Sequence, residues 1–109
     1  MKRITYEITR GAPDGSVWMD TVIGYEVPET ESLFGVDRRG PREWVPTHIP
    51  TGYALRSQPT RAAAIAHAQR VYRLGKRYRV PMTCRNGAWL APRWRRVAER
   101  AGLIVWPVA

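Results

Sequence analysis

The sequence predicts an α+β fold: a small antiparallel sheet with an amino-terminal β-hairpin, two amphipathic helices and a short carboxyl-terminal strand. Three observations carry that expectation. Ile4, Tyr6 and Ile8 alternate with Thr5, Glu7 and Thr9, the period of a half-buried strand. Two later stretches instead space their apolar residues three and four apart, the period of a helix. Turn chemistry at Ala12-Pro13-Asp14-Gly15, Pro50-Thr51-Gly52 and Asn86-Gly87 punctuates the chain. With 109 residues, 44% of them hydrophobic, the chain suits a single basic α+β domain around one core.

Each element follows from local chemistry. The first strand turns at residues 11–16 into a second, where Val17, Met19, Thr21, Ile23, Tyr25 and Val27 share the expected apolar side. Trp18 lies opposite and is expected to be exposed. Residues 28–43, "PETESLFGVDRRGPRE", follow neither period, so a long irregular loop is expected, with Leu33 and Phe34 anchoring its middle to the core. Its acids can pair with the basic half of the chain. "EWVPTHIPTGYALRSQ" reads as strand, turn, strand, and Pro46 marks the first of these as an edge or irregular strand. Gly52 is free to take positive φ in the turn. Helix one starts at the cap Thr60, buries Ala64, Ile65, Ala68, Val71 and Tyr72, and ends at Gly75. A strand through Tyr78, Val80 and Met82 follows, with Arg77 and Arg79 on its other face. Helix two begins near Pro92 and closes at Gly102, burying Trp94, Val97, Ala98 and Ala101. Residues 103–106 make the last short strand.

Charge separates the two halves. Residues 1–55 hold six bases and eight acids, a net −2, whereas residues 56–109 hold twelve bases and the single acid Glu99, a net +11. Sixteen of the eighteen bases are arginine, whose planar fork suits phosphate and carboxylate. Such asymmetry attracts polyanions. Helical spacing sets Arg93, Arg96 and Arg100 in one row with no acid inside it. Arg70, Arg73, Arg77 and Arg79 form a second cluster, part of which answers the negative end of helix one. These seven arginines are the candidate anion- or partner-binding residues. They point to a non-enzymatic protein that binds DNA, RNA or a nucleoprotein complex. An arginine-rich, lysine-poor chain can also reflect coding bias or a merely solvated face.

Little else suggests chemistry. Cys84 is the lone cysteine, so an internal disulfide and any cysteine-rich zinc or iron–sulfur site within the chain are excluded. His48 and His67 share no metal-ligand spacing with it, and a cysteine nucleophile would need an oriented base. His48 is expected to be structural. No catalytic site, metal or cofactor is therefore expected. Zinc-finger spacing, a KH-type loop and RNP-like aromatic strands are all missing. No apolar run is long enough to span a membrane, and the opening residues lack a signal-type apolar core, so the expected compartment is the cytoplasm.

The stretch from Trp44 to Gln69 joins Thr47-His48, the Pro50-Thr51-Gly52 turn, Tyr53-Ala54-Leu55 and a Thr-initiated, alanine-rich helix. It resembles small uncharacterised proteins encoded by bacteriophages and other mobile elements. The resemblance covers about a quarter of the chain and transfers no active residue. It implies an alternative function: a phage-type inhibitor, for example an anti-CRISPR or another host-takeover factor, whose basic face contacts an acidic host protein.

Overall fold

A computed structural model describes residues 1–83 and Arg96. Five strands run β1 (Arg3–Gly11), β2 (Val17–Glu26), β3 (Phe34–Gly40), β4 (Glu43–His48) and β5 (Tyr53–Ala54), followed by helix α1 (Arg61–Arg77). All strand pairs are antiparallel, and the order in the sheet is the order in the chain. The described fold therefore has a curled five-stranded antiparallel sheet and one helix, where a small antiparallel sheet with two helices was expected. The expected helix at 92–102 and strand at 103–106 lie outside the described residues, apart from Arg96, which is helical and exposed.

The sheet curls until its first strand meets its last turn. The Thr9 N–H donates to Gly52 O at 2.8 Å, and the Thr9 hydroxyl donates to Thr51 O at 2.7 Å. Gly52 takes φ +73°, as the turn requires, and a Cβ there would lie 2.8 Å from Thr9 N. Only Tyr25 and Glu26 of β2 pair with β3, so the β1–β2 hairpin swings away from the rest of the sheet beyond that joint. The Tyr6 ring fills the bend, where a Cβ on Gly24 or Gly35 would overlap it.

The two faces of the sheet bury different groups. On one, α1 packs Ala64, Ala68 and Val71 against Val27, Phe34, Val36 and Leu55. Alanines and Gly75 allow the close approach. On the other, Tyr6, Ile8 and Val45 are buried inside the curl. This arrangement inverts the expectation for β2. Val17, Met19 and Ile23 are exposed, because α1 contacts β3 and β4 and leaves the amino-terminal part of β2 uncovered. Tyr25 and Val27, at the covered end, do pack toward α1. Trp18 is exposed as expected.

Three further expectations are corrected. Residues 34–40, placed in an irregular loop, form β3, although Phe34 does anchor the core. The preceding turn is confined to 28–33 and puts Glu29, Glu31 and Ser32 at positive φ. Pro46 sits in β4, an interior strand. The Leu55 N–H donates to Pro46 O, so the missing proline N–H lies on the short β5 side and leaves the β3–β4 ladder intact. Lastly, α1 does not end at Gly75 and no strand carries Arg77 and Arg79. The helix continues to Arg77 with Tyr78 as its cap. Gly75 is buried in the helix because Met82 returns over it: a Cβ there would lie 1.5 Å from the Met82 methyl.

Candidate functional site

Helix α1 starts where the sequence predicts, with the Thr60 hydroxyl accepting from Ala63 N at 3.1 Å. It contains no acid among its seventeen residues. At about 100° per residue, Arg70, Arg73 and Arg77 fall within roughly 60° of arc, opposite the buried Ala64, Ala68 and Val71. All three are exposed. They span about 10 Å along the axis. A single nucleic-acid strand carries one charge per roughly 3.4 Å of axis, so the row runs alongside about three phosphates.

Arg79 follows in the helix ending, beyond the cap Tyr78. Arg79 N–H donates to Lys76 O at 3.1 Å and Val80 N–H to Gly75 O at 2.8 Å, the paired bonds of a Schellman ending. That ending needs a left-handed residue after the cap, usually glycine, and here Arg79 takes it at φ +56°. An arginine thus stands where glycine would cost less, and its side chain is exposed.

Several other described cations are occupied. Arg10 pairs with Asp20, and Arg39 binds Asp37 through Nε at 2.9 Å and Nη2 at 3.2 Å. Arg38 donates to the carbonyls of Gly40 and Pro41, while Arg61 lies over the Tyr25 ring. Lys76 and the Tyr72 hydroxyl both donate to the Glu31 carboxylate, which accounts for its lowered pKa, the tyrosine bond contributing most. The expected pairing between the 28–43 acids and the basic half thus takes this form. Among the described residues the side chains of Arg70, Arg73, Arg77 and Arg79 make no hydrogen bond or ion pair. Helical spacing groups Arg70, Arg73 and Arg77 on one face of α1, and Arg79 is exposed two residues beyond its end. Arg93 and Arg100 lie outside the described residues, so the row they were expected to form with Arg96 is not part of the described surface.

Buried polar groups serve the scaffold. The Tyr6 hydroxyl donates to Asp37 Oδ1 at 3.2 Å, and Arg39 Nη2 reaches Thr47 Oγ1 at 3.4 Å. Burial first, and then the Asp37 charge, push the Tyr6 pKa upward, so the phenol keeps its donor proton. His48 is fully buried. Its Nε2–H donates to Met82 O, which fixes Nδ1 as acceptor from the Thr51 hydroxyl at 2.8 Å. Desolvation holds its pKa down to about 4, against the opposing pull of the Met82 carbonyl. The histidine is structural, as the sequence predicts.

A shallow cleft of about 430 Å³ between β1 and the β4–β5 turn is lined by Thr5, Glu7, Met19, Ile49, Pro50 and Thr83, with Tyr6 at its back. None of these is a cation. Among the described residues no cluster of three His, Cys, Asp or Glu side chains can hold a metal, and no helix is long and apolar enough to cross a membrane. No known protein family, curated protein or solved structure matches the chain.

The sequence located Arg70, Arg73, Arg77 and Arg79 but assigned two of them to a strand. The backbone strain that distinguishes Arg79 left no local signal, because arginine is not a turn-forming residue.

Proposed function

We propose that the protein is a non-enzymatic binding protein that engages the phosphate backbone of nucleic acid, free or within a nucleoprotein, through Arg70, Arg73, Arg77 and Arg79. One observation carries this reading. These four exposed guanidinium groups lack a carboxylate partner among the described residues, while the other described arginines of the sheet's strands are largely engaged with their neighbours. Unpaired arginines in a row present the fork geometry and field that phosphates need. Backbone contacts of this kind position a protein without reading sequence, so binding is largely indifferent to base sequence.

Fluorescence anisotropy with labelled oligonucleotides across a salt series tests it. Four phosphate contacts give a slope of about −3.6 in log K against log salt on duplex, hence a loss of about 10²-fold between 50 and 200 mM. Substituting Arg70, Arg73 and Arg77 together by glutamine reduces the slope by about 2.7. No saturable binding at low salt, or binding untouched by the triple substitution, defeats the proposal. A partner retained on wild-type protein after nuclease treatment, and lost from the triple variant, would instead assign the row to an acidic protein.

A further inference from the structure

Among the described residues the far edge of β2 is open. Thr9 faces Met19 in the β1–β2 ladder, and the Thr9 N–H points away from β2 to reach Gly52 O. In an antiparallel pair of that kind both residues direct their backbone groups outward. By alternation Val17, Met19, Thr21 and Ile23 present N–H and C=O groups along the far edge. β3 takes up this edge only at Tyr25 and Glu26, and the four residues have no backbone partner on it among the described residues. Val17, Trp18, Met19 and Ile23 are also between 46% and 61% exposed. Natural edges are usually blunted by lysine, proline or a free charge. Residues 17–25 contain no lysine or proline, and their one charge, Asp20, is already bound by Arg10.

We propose that this edge is an interface between two copies of the chain, with β2 pairing antiparallel to β2 about a two-fold axis at Thr21. Charge favours a second copy as the occupant. Residues 1–27 carry three bases and four acids, whereas the row of Arg70, Arg73 and Arg77 lies on α1, which packs on β3 and β4. A second copy therefore meets a near-neutral segment at this edge, while an acidic partner would be drawn to α1. The register is self-complementary. With the axis at Thr21, Thr21 faces its own copy, Met19 faces Ile23, Asp20 faces Val22 and Trp18 faces Gly24. Moving the axis to Asp20 would set two carboxylates against each other. Such a seam is isologous and closes on itself. It is narrower than the roughly 1,200 Å² of a stable interface, so the dimer is reversible and concentration dependent.

Sedimentation velocity of the full chain, without nucleic acid, from low micromolar to near-millimolar concentration tests the proposal. The expected result is a monomer–dimer equilibrium. Met19→Lys combined with Ile23→Lys, both at exposed positions, weakens it at least about tenfold with far-UV circular dichroism unchanged. Thr21→Pro gives the same loss, since its N–H points outward and is not needed by β1. In a Cys84→Ser background, Thr21→Cys forms an oxidised dimer and Val17→Cys does not. A dimer insensitive to the lysine pair and to Thr21→Pro overturns the proposal. So does a protein that is monomeric at every concentration, and protected Val17, Met19 and Thr21 amides in that monomer would give the edge to a segment of the same chain.

Discussion

Arg79 shows how a single backbone angle can separate stability from binding. A left-handed conformation costs an L-residue roughly 1–2 kcal/mol, of which glycine's greater unfolded-state entropy returns a part. Arg79→Gly should therefore stabilise the protein by about 0.5–1 kcal/mol, seen as a rise of a few degrees in the thermal midpoint. The same substitution removes one phosphate contact and lowers the salt slope by about 0.9. A variant that is both less stable and an equal binder would show that Arg79 has neither role. Neighbouring Lys76 illustrates the opposite case, a cation near the helix end whose charge is already taken by Glu31. At this scale the sequence supplied identity and approximate position, and the structure supplied occupancy. Which bases are unpaired depends on how the fold places carboxylates, as with Glu31 reaching Lys76 across 45 residues, and local pattern does not give that.

Among the elements, β1, the Thr60 cap and the Pro50-Thr51-Gly52 turn were legible because adjacent residues determine them. β3 was not. Its sequence, "FGVDRRG", is poor in strand formers, and its residues answer to distant partners: Gly35 to the Tyr6 ring, Asp37 to the Tyr6 hydroxyl, Phe34 to the α1 core. The orientation of β2 failed for a related reason. Both of its faces hold apolar residues, and the face that is buried changes along its length with the reach of α1. The joint between β2 and β3 rests on Gly24. A Cβ there would lie 2.4 Å from Val36 O and 2.8 Å from the Tyr6 hydroxyl oxygen, and the backbone oxygen cannot yield. Gly24→Ala is expected to cost about 1–3 kcal/mol, read as a lower urea midpoint. An unchanged midpoint would mean that the hairpin is not anchored at this joint.

For the molecule as a whole, His48 couples pH to folding. It ties the sheet to the chain that returns past α1, through Met82 O. Its folded pKa of about 4 lies below the ordinary value of 6.5, so the unfolded chain takes up the proton first. This contribution is complete above about pH 6.5 and is lost as pH falls toward 4, amounting to roughly 3 kcal/mol across the window. Urea unfolding at a series of pH values should reveal the decline, and His67→Gln should preserve it. Constant stability from pH 7 to 5 would contradict a buried neutral imidazole. The charge asymmetry between the halves was legible in the sequence, but its translation into a sheet and a helix face was not, since that required knowing how far α1 extends.

Because each strand sits beside its predecessor, assembly needs only brief chain closures, each entropically cheap. The exception is Thr9, whose bonds to Thr51 O and Gly52 O draw the ends of the ribbon together. Such a topology favours stepwise zippering with the seam sealed late, and a fold whose speed is set by neighbours rather than by remote encounters.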